Sequence, residues 1–443
     1  MNVGATNRHS RPLPEIPSEL VQQIIEDACR GADGATLSYI ALTCHALRII
    51  SNKRRFGILS LKSDDEELMV PKFHKFCDLV KTQMVSSSEM LGFWMFVRSF
   101  SIYPSRGALQ KILDDGSLVF VVDILFSPKS GRLYPAETRR HFCFHPLLEN
   151  SELVPWSSLN NDFVSAFHSL CRCSLLTSLK LGCIIDLPRG LLCGTNINEL
   201  DLYWMKNAPE FSPSFEESFE KSEQAPPPVL LESLKLHHRV SLTEVMNILS
   251  SGSCTADFVF SRLKKLHCGI RHEASQKALS EILDAAKGLE DVTIFAFGLK
   301  RTSSGEPLPR MDYSKASTLR SLAVHLDVGG WRHTRSRSLS ETLITLIGNN
   351  LPPGLTRIDI ALVHFLGMAI RRPLNEIFKG FLPVDLHLST LGFAGRIFVH
   401  IRLGDLSWNY PYIPLMDRCT NELKRFFPAI QENTEIDAEF ALD

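Results

Sequence analysis

The chain lacks any apolar run long enough to cross a membrane. Its strongest one, residues 118–126, is nine residues long and carries Asp123, whereas a span needs about 20; it reads as a buried strand. Paired cysteine spacing is missing too. Eleven cysteines occur in 443 residues, an odd number, and C-x-x-C appears nowhere, which argues against zinc ribbons and thioredoxin-like centres and for reduced thiols packed as small hydrophobes. There is no N-x-S/T sequon, and the opening MNVGATNRHSRPLP has no apolar signal-peptide core, so the expected location is inside the cell, cytoplasmic or nuclear. An excess of either charge is absent as well: 48 Lys and Arg balance 49 Asp and Glu. That balance disfavours nucleic acid as a partner and leaves protein as the default.

Signatures of common chemistry are equally scarce. G-x-G-x-x-G, G-x-x-x-x-G-K-[ST] and G-x-S-x-G do not occur, which removes the cheap signals for dinucleotide, triphosphate and serine-hydrolase sites. The closest zincin-like string, His272-Glu273-x-x-Gln276, has an amide at the second ligand position and reads as the first turn of a helix. The expectation is a protein without cofactor, metal or catalytic residues of its own.

What is present is length with little punctuation. At about three times a common domain of roughly 150 residues, the chain implies two or three domains or one long repetitive one. Residues 1–12 are polar and aperiodic and read as a mobile tail. Leu13, Pro14, Ile16 and Pro17 then lead into Leu20, Val21, Ile24, Ile25 and Ala28 at helical spacing. Two further short helices carry Leu37, Ile40 and Ala41, then Ala46, Leu47, Ile49 and Ile50, ending at Lys53-Arg54-Arg55-Phe56. The result is a small helical bundle over 13–62, of a size that buries only about 60% of its unfolded surface alone and so invites a partner. Residues 63–96, with an acidic run at 64–67, read as a helical or loose connector.

From about residue 97 a phrase of the form L-x-x-L-x-L recurs. Its copies are Val97/Phe100/Ile102, Leu176/Leu179/Leu181, Ile197/Leu200/Leu202, Leu231/Leu234/Leu236, Leu263/Leu266/Cys268, Leu289/Val292/Ile294, Leu319/Leu322/Val324 and Leu355/Ile358/Ile360. Helices are expected in each interval, two of them opened by the capping boxes Ser241-x-x-Glu244 and Ser338-x-x-Glu341 and one closed by Gly288. Strand then helix, repeated, means parallel strands with crossovers. Positions four and six of the phrase share one strand face, so an α/β solenoid over 97–430 with a concave parallel sheet is expected, with an ordinary doubly wound sheet as the competing architecture. Residues 431–443 read as a C-terminal tail.

Other segments carry chemistry only in outline. His141, Cys143 and His145 would share one strand face opposite Phe142 and Phe144, with metal-like spacing but no fourth ligand; a strand with its aromatics inward is the plainer reading. Cys171-x-Cys173 reads as helix packing. The serine-rich basic stretch at Arg332, His333, Arg335 and Arg337 reads as a solvated loop, with phosphate binding, or phosphorylation at Ser336 or Ser338, as the alternative. Within an insertion at 205–229, residues 208–228 hold five glutamates against one lysine, and Phe211, Phe215 and Phe219 at one helical stripe. It is either packed on its own repeat or offered to a partner.

The segment from Leu13-Pro14-Glu15-Ile16-Pro17-Ser18-Glu19-Leu20 to Ile24-Ile25, followed by Leu42-Thr43-Cys44-His45-Ala46-Leu47, resembles an F-box, with Ile16 at the usual leucine. The remainder is similar to the divergent leucine-rich-repeat region of F-box-like proteins common in mushroom-forming fungi, through phrases such as Leu176-Thr177-Ser178-Leu179-Lys180-Leu181. The resemblance implies a substrate receptor of a cullin-type ubiquitin ligase. A Skp-family adaptor would dock on Leu13, Pro14, Ile16, Pro17, Leu20, Ile24, Leu42 and Leu47, and the repeats would hold a target protein. A second expectation is a plain repeat scaffold whose F-box-like helices only cap the solenoid; an enzyme is the third.

Overall fold

The computed structural model describes residues 23–25, 27, 29–43, 45–63, 65–86, 92–126, 140–147, 153–203, 229–237, 240, 242–249, 255–270, 273–296, 309–327, 336–365, 381–404, 421 and 423–442. Fourteen strands occur among them. They are β1 (Ile58–Lys62), β2 (Ser99–Tyr103), β3 (Arg140–Phe144), β4 (Val154–Pro155), β5 (Leu176–Gly182), β6 (Ile184–Ile185), β7 (Glu199–Tyr203), β8 (Ser233–Leu236), β9 (Lys265–Ile270), β10 (Asp291–Ala296), β11 (Ser321–Asp327), β12 (Arg357–Phe365), β13 (Arg396–Gly404) and β14 (Asp437–Leu442). β4 and β6 form a separate two-stranded pair. The other twelve make one sheet whose strand order is chain order, every neighbouring pair parallel. A doubly wound sheet reverses its order at a switch point; this one has no reversal.

The recurring phrase generates that arrangement. Each quoted copy ends on a strand, and the register aligns position four of one copy with position four of the next: Leu200 with Leu234, Leu234 with Leu266, Leu266 with Val292, Val292 with Leu322, Leu322 with Ile358. Position six forms a second ladder through Leu202, Leu236, Cys268, Ile294, Val324 and Ile360. Both ladders are buried and join the helices' apolar stripes in one continuous core. Each fully buried aliphatic side chain is stabilised by about 1.5–3 kcal/mol over exposure, and register is fixed because a one-residue slip would turn both ladders to the opposite face. The helices therefore cover one face of the sheet, and the other carries polar, aromatic and small side chains.

Several expectations are corrected. Residues 118–126 are helical, within Ser117–Phe126: Leu118, Val121, Val122, Leu125 and Phe126 are buried at i, i+3, i+4, i+7 and i+8, a helical stripe that the apolar residues between them hid. The sheet starts at β1, inside the expected bundle, and ends at β14, inside the expected tail. The expected connector contains the helix Glu66–Ser86, whose Met69, Phe73 and Cys77 belong to the main core. The interval between β5 and β7 has turns instead of a helix, with Gly190 and Gly194 at positive φ. Ser338 lies within the helix Ser336–Ile347 rather than at its cap, and Ser241 lies outside the described residues. Gly288 does not adopt the left-handed φ of a helix-capping glycine, and a Cβ there would meet the carbonyls of Ser261 and Leu263 only at ordinary contact distance.

Candidate functional site

Because side chains alternate, the residue after each position-six core residue points to the polar face. This seventh position reads Tyr103, Gly182, Tyr203, His237, Gly269, Phe295, His325 and Ala361 in the phrase copies, with His145 in the equivalent place at the end of β3. The central part of that row is a run of rings. Tyr103 lies 5.8 Å from His145, His145 4.8 Å from Tyr203, and Tyr203 4.1 Å from His237, centroid to centroid. Gly182 makes the run possible: a Cβ there would stand 2.8 Å from the His145 ring, so only a residue without a side chain lets His145 and Tyr203 meet across β5.

One step along the strands lies a charged row. Lys180 Nζ and Asp201 Oδ2 are 3.3 Å apart, and His237 Nε2 meets Asp201 Oδ1 at 3.3 Å. Burial pushes Asp201 up, but His237 and Lys180 outweigh it and hold the carboxyl below its usual range. Burial, reinforced by the charges of Lys180 and His237, pushes His145 down to about 4, so its imidazole is neutral near pH 7. Its Nδ1 is buried with no hydrogen-bond partner among the described residues, an arrangement that costs about 1–3 kcal/mol.

His141, Cys143 and His145 do share one face, as the spacing predicts, but they turn to different partners. His141 Nδ1 bonds Ser178 Oγ at 2.8 Å, and Cys143 Sγ donates to Tyr103 Oη at 3.4 Å. Among the described residues no group of three His, Cys, Asp or Glu is placed to hold a metal ion. Burial raises the Cys143 thiol and, with the Cys143 contact, pushes Tyr103 up to about 12, the opposite of what an activated nucleophile requires. This cluster can hydrogen-bond, stack and pair charges.

A second group sits at the far end of the same face. The guanidinium carbons of Arg357 and Arg396 lie 4.3 and 4.6 Å from the Phe398 ring centroid. Arg357 pairs with Asp359 at 2.9 Å, and Arg396 with Asp437 and Glu439 at 3.1 and 2.9 Å. Each cation is thus already neutralised within the sheet.

Of the expected adaptor-binding residues, Leu13, Pro14, Ile16, Pro17 and Leu20 lie outside the described residues. Ile24 is 62% and Leu42 74% exposed; Leu47 is half-buried in the helix His45–Phe56. Tyr39, between Leu37 and Leu42 on the helix Gly34–Thr43, is also exposed. Phe56 packs on Phe93 at 5.1 Å, joining these helices to the start of the sheet.

The remaining sequence candidates divide similarly. Cys171 and Cys173 are buried free thiols, Cys173 donating to the Phe126 carbonyl at 2.8 Å, consistent with packing. Glu273 opens the helix Glu273–Ala285 and Gln276 is buried against the Pro309 carbonyl, while His272 lies outside the described residues. So do Arg332, His333 and Arg335 and residues 205–228 of the acidic insertion. Tyr103, Lys180, Gly182, Asp201, Tyr203 and His237 were not singled out from the sequence, although the seventh phrase position carried the signal. No family model matches the chain, and no curated protein matches it.

Proposed function

We propose that the chain is the substrate-recognition adaptor of a cullin-type ubiquitin ligase, in which an F-box-like N-terminal segment docks on a Skp-family adaptor and a leucine-rich-repeat-type solenoid holds a target protein. The observation that carries this reading is the exposure of Ile24 and Leu42, with Tyr39, on the helices that bear the F-box-like pattern. Large apolar side chains left in water on a small bundle mark a surface that a partner covers. The sheet supplies the other half: twelve parallel strands added in chain order spread one wide face on which a target could lie. In this reading the chemistry belongs to partner enzymes, and the chain contributes no catalytic residue.

Co-expression with a Skp-family adaptor tests it. Stoichiometric co-purification of the intact chain supports docking, and no association, with an established F-box protein binding in parallel, overturns it. A specific observation favours a second reading, in which the same helices cap the solenoid and no ubiquitin ligase is involved: the helix His45–Phe56 runs directly into β1, and the Gly57 carbonyl accepts from the amides of Arg98 and Ser99. Solenoid ends need such covers. Replacing Leu42 with Asp separates the two, because a cap loses no partner by it.

A further inference from the structure

The ring row and the charges around it point to the kind of target. From β2 to β8 the row Tyr103, His145, Tyr203, His237 crosses five strands, a distance of about 19 Å at roughly 4.8 Å per strand, which matches about six residues of an extended peptide. The face is also polarised along its length. On β1 to β9 the polar-facing charges are Lys62, Lys180, Lys235 and Lys265 against Glu199 and Asp201, or 4 − 2 = +2 with histidines neutral. On β10 to β14 they are Arg357 and Arg396 against Asp291, Asp359, Asp437 and Glu439, or 2 − 4 = −2, counting those with described side chains. Lys62 stands opposite Tyr103 and Lys235 opposite Asp201 in the registers, so exposed ammonium groups flank the rings. The His145 imidazole offers a buried Nδ1 that no described residue bonds.

We infer that this row is the anchor of the target-binding surface, and that it takes an extended acidic peptide whose apolar side chains pack on Tyr103, His145, Tyr203 and His237 while its carboxylates pair with Lys62 and Lys235. The inference rests on the target-holding half of the proposed function and gives it a chemistry. Aromatic rings supply contact area at low entropic cost, and the lysines select the sign of the charge. The basic end of the face is the docking end; the arginines at the other end are occupied by their own carboxylates.

Fluorescence anisotropy on the full chain, with a fluorescein-labelled Glu-Leu-Glu-Phe-Glu-Leu peptide and its Lys-for-Glu counterpart as probes, tests this. The acidic peptide binds at least tenfold more tightly than the basic one. The double variant Lys62→Glu, Lys235→Glu, both surface positions, reduces its affinity tenfold or more, and Arg396→Glu changes it less than twofold. Equal binding of the two peptides overturns the inference, as does an Arg396→Glu loss as large as that of the lysine pair, which would reduce the effect to net charge. His145→Ala weakens acidic-peptide binding at least threefold at an unchanged melting temperature; unaltered binding contradicts the role of the rings. Leu42→Asp abolishes adaptor capture and leaves peptide binding intact; failure of the unaltered chain to capture the adaptor while it binds the acidic peptide sinks the ubiquitin-ligase reading alone, and adaptor capture without preference for the acidic peptide sinks the acidic anchor alone.

Discussion

His145, directly after β3, and Tyr203 on β7 touch across an intervening strand, their ring centroids 4.8 Å apart, because the residue between them on β5 is Gly182. Gly182→Ala is therefore expected to displace the imidazole and to cost about 1–3 kcal/mol in urea unfolding, as overpacking does. His145→Ala in the same chain recovers most of that loss, since it removes the colliding ring. Additive effects of the two changes would contradict the contact.

Stability should fall as pH drops from 7 toward 4.5. His145 is pushed down to about 4, and His141, His168, His267 and His387 also lie below their ordinary value, burial being the main cause in each. The unfolded chain, with histidines near 6.5, then binds more protons than the folded one, so stability is complete above about 6.5 and is lost as pH falls. Asp201, held below 3.8, loses its contribution only under that value and lies outside the window. The urea midpoint followed against pH reads the slope, which His145→Phe flattens in part; an unchanged slope opposes the assignment.

Asp385 is fully buried on the helix Leu382–Thr390 and accepts from the amides of Ala429 and Ile430 at 2.7 and 2.9 Å, the first turn of the helix Pro428–Glu432. It ties the last unit, with β14, to the rest of the sheet. Asp385→Ala leaves those amides unpaired and is expected to cost about 2–4 kcal/mol. Hydrogen exchange should show protection lost first across residues 428–442. Uniform loss throughout the chain would contradict a local tether.

Leu266 sits in the middle of the position-four ladder, between Leu234 and Val292 and with no exposed surface. Leu266→Ala should cost about 2–5 kcal/mol through transfer and cavity terms. The matching change at the polar-facing His267 should cost less than 1 kcal/mol. Urea unfolding of the two variants compares the faces directly.

The repeating phrase made most of the sheet legible, since period-two alternation and a fixed L-x-x-L-x-L spacing specify a strand, its buried face and its register together. Phe56/Leu59/Leu61 satisfies the same spacing and marks β1, but it follows a helical run and reads as that helix's end. β13 and β14 were obscured for a different reason: the first slot holds Ala394 in one and Glu435 in the other, so the phrase loses its leading aliphatic. The helix at Ser117–Phe126 was hidden by apolar residues on its partly buried side as well as in its stripe. His141, Cys143 and His145 were placed on one face from the sequence, whereas the ring row was not, because it joins side chains from four strands through a glycine that signals nothing by itself. Sequence spacing reveals what lies along a strand; what lies across strands emerges from register.

Titration of a purified Skp-family adaptor into the intact chain, followed by isothermal calorimetry, tests the central claim most directly. The account predicts one-to-one binding that Leu20→Asp or Leu42→Asp abolishes, with the urea midpoint of the sheet unchanged in both variants. Absence of binding by the unaltered chain, or binding indifferent to both substitutions, would contradict it.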